Sequence, residues 1–192
     1  MITEALKQYG ATVETEARQT VYPDLTVILD TELPNKVAID IKTTYRKPST
    51  GFTLGSYTAY MRPPFTKNIS HPYHEYLEHW IVGFIYSRVP GVVAQITTMD
   101  NIKNVVAPIN DVEIIIQEKW KVASDKPGSG NTANIGSVGN VAALRDGLGT
   151  FGLMGPGGKE VFEDYWRNFD RTPPKRYSNI EGYQAWRREN PI

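Results

Sequence analysis

Two short stretches decide the fold of this chain: Asp24-Leu25-Thr26-Val27-Ile28-Leu29 and Val37-Ala38-Ile39-Asp40-Ile41-Lys42. Both are rich in β-branched and apolar residues, and Leu33-Pro34-Asn35 separates them, so the pattern predicts a β-hairpin. Because side chains alternate along a strand, Asp40 and Lys42 share one face. With the turn centred on Leu33, Asp24 lies roughly opposite Lys42 and one diagonal step from Asp40. The hairpin is therefore predicted to bring two carboxylates and one ammonium group together.

This cluster has the composition of a site for a hard divalent cation beside a phosphate. Asp40 interrupts an apolar run that is expected to be buried, where a charge needs a partner or a metal. The plainer alternative is that Asp24 begins a strand after a proline and that Asp40 and Lys42 form a solvated ion pair. The order Pro23-Asp24 followed by Asp40-Ile41-Lys42 resembles the PD-(D/E)xK nuclease signature.

The composition is that of an ordinary globular protein. The 192 residues are 40% hydrophobic and 22% charged, which favours a single domain spanning residues 1–192. With 21 basic and 21 acidic residues, no overall positive field is expected to hold the protein on DNA by charge alone. The absence of cysteine excludes disulfides, thiolate nucleophiles and cysteine zinc sites. Since the sequence contains neither a membrane-spanning apolar run nor a signal peptide, we expect a cytoplasmic protein without membrane contact.

The remaining periodicity predicts a mixed α/β (α+β) fold, with helices flanking a mixed β-sheet. Helices are predicted over residues 2–9, Pro72–Arg88, 161–169 and 178–186, the last with a capping box at Ser178-Asn179-Ile180-Glu181. Strands are predicted over residues 11–15, 52–54, 57–61 and 112–123. The helix over Pro72–Arg88 has the clearest apolar stripe, formed by Tyr73, Tyr76, Leu77, Trp80, Ile81, Phe84 and Ile85.

A polar loop is predicted over residues 124–139, directly after a strand. It contains Gly128-Ser129-Gly130-Asn131-Thr132-Ala133-Asn134. In general such a stretch is more often a flexible surface connection. The same composition also suits a DNA-reading loop, because glycine lets the backbone approach a base edge and asparagine can pair with adenine N6 and N7.

Three histidines invite comparison with a zinc site, because His71, His74 and His79 lie near Glu75 and Glu78. The segment from His74 to His79 misses the H-E-x-x-H spacing by one residue, so its two histidines are not one helical turn apart. We therefore expect solvated or phosphate-facing histidines on the surface of a helix.

Eight collinear segments resemble one family, the EcoRV-like type II restriction endonucleases of the PD-(D/E)xK superfamily. They keep the order and approximate spacing of that family over nearly the whole chain. The segments are Tyr22-Pro23-Asp24, Ala38-Ile39-Asp40-Ile41-Lys42-Thr43-Thr44-Tyr45, Phe52-Thr53-Leu54-Gly55, Thr66-Lys67-Asn68-Ile69, His79-Trp80-Ile81, Gly128-Ser129-Gly130-Asn131-Thr132, Asn134-Ile135-Gly136-Ser137 and Asp164-Tyr165-Trp166-Arg167-Asn168.

The resemblance implies a homodimeric, Mg²⁺-dependent endonuclease that cleaves both strands of double-stranded DNA at GATATC or a close variant and leaves blunt ends. Mn²⁺ is expected to substitute for Mg²⁺, and no nucleotide cofactor is expected. Asp24 and Asp40 would bind the metal with the Ile41 carbonyl as a further ligand, and Lys42 would activate the attacking water and stabilise the phosphate. The residues that the resemblance assigns to DNA contacts are Gln19, Thr43, Thr44, Lys67, Gly128, Ser129, Gly130, Asn131 and Thr132.

The chain departs from the pattern of the family at several points. It begins a few dozen residues late, so the N-terminal segment, with much of the dimer interface and one acidic residue near the metals, has no counterpart. Ala133 stands where the family has a second threonine in the recognition loop. Two alternatives therefore stay open: a repair or structure-selective PD-(D/E)xK nuclease, and a DNA-binding protein that no longer cleaves. The presence of Asp24, Asp40 and Lys42 together argues against the second.

Overall fold

The computed structural model describes residues 2–18, 20–30, 32, 35–62, 68–128 and 133–191. The strands in these ranges are β1 (Thr12–Thr15), β2 (Leu25–Ile28), β3 (Lys36–Tyr45), β4 (Thr53–Ser56), β5 (Tyr76–Arg88), β6 (Ile109–Glu118), β7 (Ala123–Pro127) and β8 (Asn134–Ser137). The α-helices are α1 (Ile2–Gln8), α2 (Tyr57–Tyr60), α3 (Lys119–Val122), α4 (Val141–Asp146), α5 (Gly158–Asn168) and α6 (Ile180–Glu189). Short 3₁₀ helices cover Tyr73–Glu75, Met99–Asn104 and Gly152–Gly157. None of the helices in the described ranges is long and apolar enough to cross a membrane.

Two β-sheets organise the chain. The larger sheet has the strand order β1-β2-β3-β5-β6, in which β3 pairs with β5 in parallel and the other neighbours pair antiparallel. The smaller sheet has the order β4-β8-β7 and is antiparallel. The predicted mixed α/β (α+β) class, with helices flanking a mixed sheet, is confirmed.

The hydrophobic core lies against the face of the larger sheet that carries Asp40. Ala38, Ile81 and Ile85 on this face belong to one buried cluster with residues of the smaller sheet, α5 and α6. Aromatic rings dominate the cluster, and Trp166 is completely buried. Apolar burial stabilises by about 25 cal/mol per Å². The face of β3 that carries Asp40 is therefore backed by the hydrophobic core.

Most elements near the predicted hairpin are confirmed. The helix over residues 2–9 is α1, the strand over 11–15 is β1, and the hairpin itself is β2 and β3. The two C-terminal helices are α5 and α6. The N-cap of α6 is Asn179 rather than Ser178, since the Asn179 side chain accepts a hydrogen bond from the Gly182 N–H.

The helix predicted over Pro72–Arg88 is wrong, because residues 76–88 form β5. Its central apolar side chains are buried on both faces of the sheet, Ile81 and Ile85 on one face and Val82 on the other. A strand buried on both faces produces a continuous apolar run without alternation, which resembles a helical stripe. The adjacent β-branched pair Ile81 and Val82, both buried, suits a strand better than a helix.

Three further assignments change around the smaller sheet. Residues 57–60 form the short helix α2 instead of continuing a strand, and the strand predicted over 112–123 runs from Ile109 to Glu118 before α3. The polar loop predicted over 124–139 contains the paired strands β7 and β8. Because these strands are short and rich in glycine, serine and asparagine, they lack the apolar alternation that marks a strand in sequence.

Candidate active site

Asp40 is a buried charge at the centre of the larger sheet. Its residue is 3% exposed, and its Oδ2 lies 2.7 Å from Nζ of Lys42. Asp40 and Lys42 therefore share one face of β3, as the alternation predicts. The ion pair of the plainer alternative does form, but its carboxylate is not solvated.

The register of the hairpin places Asp24 beside Asp40. Leu25 pairs with Ile39, so Asp24, one residue before β2, is level with Asp40 rather than with Lys42. The predicted register is wrong by one step. Because Leu25 pairs with Ile39, the hairpin is centred on residue 32 and not on Leu33. Leu33 itself lies outside the described residues. Oδ2 of Asp24 accepts a hydrogen bond of 2.6 Å from the Ile41 N–H. This bond fixes the Asp24 carboxylate against β3, one residue from Asp40.

The electrostatic environment of Asp40 combines burial with two nearby cations. Burial raises the pKa of Asp40 above its usual range, the positive charges of Lys42 and Lys119 lower it, and the charge of Asp24 raises it. Nζ of Lys42, 2.7 Å from Oδ2 of Asp40, partly compensates the buried carboxylate. A carboxylate can bind a cation through its remaining lone pairs while it keeps such a contact.

These donors fit a small, hard divalent cation. Magnesium is commonly held by one or two carboxylates, with waters and substrate phosphates completing its octahedral shell. Asp24 and Asp40 supply two carboxylates, whereas no group of three or more Asp, Glu, His or Cys side chains suited to a metal occurs among the described residues. The site therefore matches a cation that is shared with a phosphate more closely than one enclosed by protein ligands.

Of the residues assigned to DNA contacts, the structure describes Thr43, Thr44 and Gly128. Thr43 and Thr44 continue β3 beyond Lys42, and only Thr44 lies on the face of Asp40 by alternation. Gly128 follows β7, and its N–H donates to the Asn134 carbonyl at 2.8 Å. Residues outside the described ranges are Gln19, Lys67, Ser129, Gly130, Asn131 and Thr132.

Ala133, the departure within the predicted DNA-reading loop, has a structural role. It is 4% exposed, and its carbonyl accepts a 3.0 Å hydrogen bond from the Tyr57 N–H. A methyl group suits this buried position because it requires no hydrogen-bond partner. Ala133 therefore anchors β8 against α2 and presents no polar group to a ligand.

No group of three or more His, Cys, Asp or Glu side chains placed to hold a metal occurs among the described residues. The prediction of helix-surface histidines is wrong for His79, which is 6% exposed on strand β5 and stacks on Tyr73 with ring centroids 4.2 Å apart. Burial lowers its pKa well below the usual range, which keeps the ring neutral. His71 lies 2.7 Å from a Glu14 carboxylate oxygen.

The sequence did not predict that a further charged residue, Lys119, lies near the site. Lys119, at the start of α3, is 1% exposed and contributes to the electrostatics of Asp40. A lysine directly after a strand normally predicts a solvent-exposed turn, so local sequence gives little signal for its burial. The one available hint is the strand alternation along β6, which assigns Lys119 to the inward face with Ile115.

Comparison with known proteins identifies the family. The model of the family described as restriction endonuclease EcoRV matches residues 1–188. The type II restriction enzyme EcoRV of Escherichia coli is 37% identical over 195 aligned positions, which cover 97% of this chain and 77% of that protein. A match of this extent includes both sheets and the Asp24, Asp40 and Lys42 cluster. The chain therefore belongs to the EcoRV family of type II restriction endonucleases, enzymes that bind duplex DNA and hydrolyse it.

Proposed function

We propose that this endonuclease hydrolyses both strands of duplex DNA at GATATC or a close variant, in a Mg²⁺-dependent reaction that leaves blunt ends. The observation that carries the proposal is the arrangement of Asp24, Ile41, Asp40 and Lys42 on neighbouring strands. Two carboxylates can bind a divalent cation, and one ammonium group can stabilise the charge on the phosphate, so together they suit phosphodiester hydrolysis.

The roles of these residues follow from their positions. Asp24 and Asp40 would hold the cation with the Ile41 carbonyl, and Mn²⁺ should substitute because it accepts the same oxygen ligands. When bound, the cation would supply an activated water and stabilise the charge that develops on the phosphate. The ammonium group of Lys42 would donate hydrogen bonds to the water or a phosphate oxygen, with the Asp40 contact orienting it.

Digestion of a defined duplex tests the specificity. With Mg²⁺, a DNA that contains one GATATC site should yield two fragments with blunt ends, mapped by primer extension on both strands. The same duplex with one base pair of the site exchanged should be cut far more slowly, because one wrong base pair costs about 1–3 kcal/mol. Cleavage of both duplexes at equal rates would instead favour a repair or structure-selective nuclease. A control with EDTA should abolish cleavage.

We also propose that the active species is a homodimer. A cluster on one protomer cuts one strand, and a two-fold axis shared with palindromic DNA supplies the second cut. Of the apolar stretches available for an interface, the side chains of Phe52, Tyr57 and Trp166 are used within the core of the protomer. Helix α1 buries none of its residues. Apolar contacts between protomers would therefore be made by α1 and the outer face of the larger sheet.

The oligomeric state on DNA gives a direct prediction. Light scattering should give the mass of two protomers on one cognate duplex, measured with Ca²⁺ in place of Mg²⁺ to prevent cleavage. Supercoiled plasmid should be converted to linear product with little accumulation of nicked circles. A single protomer on DNA together with nicked product would contradict the homodimer.

A further inference from the structure

Lys119 is unusual because its charged side chain is buried. It lies on the face of the larger sheet that also carries Asp40. The residue is 1% exposed, and its Nζ makes no hydrogen bond with any described residue. A buried ammonium group without a hydrogen bond is costly, and proteins rarely retain one without a compensating interaction. Neighbouring side chains must therefore stabilise this charge.

Aromatic rings provide the first of these interactions. Nζ of Lys119 lies 3.7 Å from the ring centroid of Tyr22 and 4.9 Å from that of Tyr60, within the range of cation–π contacts. The two rings stack on each other with centroids 4.3 Å apart. The Tyr22 hydroxyl lies 2.6 Å from Nδ1 of the buried His79. The ammonium group is thus held by side chains that are themselves fixed.

The position of Tyr60 depends on a glycine. Gly55 has a φ of 93°, and a Cβ at this residue would lie 2.0 Å from the Tyr60 hydroxyl oxygen. Any other residue at this position would both strain the backbone and displace the ring. The aromatic enclosure of Lys119 is therefore built into the backbone of the smaller sheet.

Asp40 provides the second interaction. Trp80 pairs with Glu118 at the end of β6, so the antiparallel register places Lys119 opposite His79. By alternation, both residues lie on the face of the sheet that also carries Asp40. Burial lowers the pKa of Lys119 to about 7, whereas the negative charge of Asp40 raises it. Tyr22, which covers the ammonium group, precedes Asp24 by two residues. Lys119 therefore lies on the same face of the sheet as Asp40 and interacts with its charge.

The charges of this region balance before any cation enters. Asp24 and Asp40 contribute two negative charges, and Lys42 and Lys119 contribute two positive ones. Lys42 is partly exposed and can turn towards a phosphate, whereas Lys119 is enclosed and cannot leave. Whenever Lys119 is protonated, its charge therefore repels an incoming cation from a fixed position in the folded protein.

We propose that the buried ammonium group of Lys119 weakens the binding of a divalent cation at the nuclease site in the absence of DNA. This inference rests on the proposed metal site at Asp24 and Asp40. A DNA phosphate brings negative charge to the same place and offsets the repulsion. Lys119 thereby favours loading of the cation on the DNA complex over loading of the free protein.

Binding of Mn²⁺ to the DNA-free protein tests the proposal. Free Mn²⁺ is followed by electron paramagnetic resonance just below neutral pH, where Lys119 is mostly protonated, in the unaltered protein and in Lys119→Met, which keeps most of the side-chain volume. We expect Lys119→Met to bind Mn²⁺ at least about threefold more tightly, because it removes an unscreened positive charge. Lys121→Met is the matched control, since this half-exposed lysine pairs with Glu118, and its Mn²⁺ affinity should be unchanged.

Folding controls and further variants show whether a negative result refutes the role of Lys119 or the proposed metal site. Circular dichroism and thermal unfolding verify that each variant is folded, and Lys119→Gln replaces Lys119→Met if the latter does not fold. Lys119→Arg, which keeps the charge, should bind Mn²⁺ like the unaltered protein. If Mn²⁺ binding is lost in Asp40→Ala but is unchanged or weaker in folded Lys119→Met, the role of Lys119 is refuted while the metal site stands. If Asp40→Ala binds Mn²⁺ normally, the proposed metal site itself is refuted.

Discussion

Replacing Asp40 with alanine should lower the rate of DNA cleavage by at least about 10²-fold, because it removes a proposed metal ligand and the partner of Lys42 at once. Asp40→Asn should have a similar effect, since it keeps the shape of the side chain and removes only the charge. The measurement is single-turnover cleavage of a cognate duplex at saturating Mg²⁺. Single-turnover conditions separate the loss of chemistry from a change in product release.

The fold should survive these substitutions. Removal of the Asp40 charge relieves the cost of burying it but leaves Lys119 without a compensating negative charge, so some stability is lost and thermal unfolding must verify that each variant is folded. Asp30→Ala, at an exposed carboxylate after β2, is the matched control and should cleave at the normal rate. Near-normal cleavage by a folded Asp40→Ala protein would refute the assignment of the active site. Asp24→Ala and Lys42→Ala should each show a loss of comparable size.

The parts of this site that sequence could predict are those governed by local periodicity. The alternation of β3 placed Asp40 and Lys42 on one face, and the break after Leu29 placed the hairpin. The exact register could not be predicted, because it depends on the geometry of a turn and not on the apolar pattern alone. Because the centre of the hairpin lies one residue earlier than predicted, Asp24 is opposite Asp40 and not opposite Lys42.

The features that sequence could not predict depend on contacts between distant segments. Strand β5 resembles a helix in sequence because it carries apolar side chains on both faces, Ile81 and Ile85 on one and Val82 and Phe84 on the other. Lys119 is buried because Tyr22 and Tyr60, from two other segments, enclose it. His79 becomes neutral and buried for the same reason, between Tyr73 and the hydroxyl of Tyr22. Sequence patterns describe the preferences of one segment, whereas the charge state of these groups is set by their tertiary neighbours.

Asn131→Ala should reduce the preference of the enzyme for its cognate site. The residue belongs to the segment 129–132, which lies outside the described ranges and joins the hydrogen-bonded ends of β7 and β8. An asparagine that pairs with adenine N6 and N7 contributes about 1–3 kcal/mol of discrimination, which corresponds to about 5- to 150-fold. The measurement is the ratio of kcat/KM for a GATATC duplex and for a duplex with one base pair exchanged.

Non-specific binding distinguishes a reading role from a general loss of DNA affinity. Contacts to phosphates position DNA without specifying its sequence, so weak binding to unrelated DNA should persist in Asn131→Ala. Asn104→Ala, at an exposed asparagine in the 3₁₀ helix Met99–Asn104, is the matched control and should leave the ratio unchanged. An unchanged ratio in Asn131→Ala would reduce the segment to a connection between two strands. A lower ratio with intact non-specific binding would instead place base recognition at the end of the β7–β8 hairpin, separate from the hydrolytic cluster on β3.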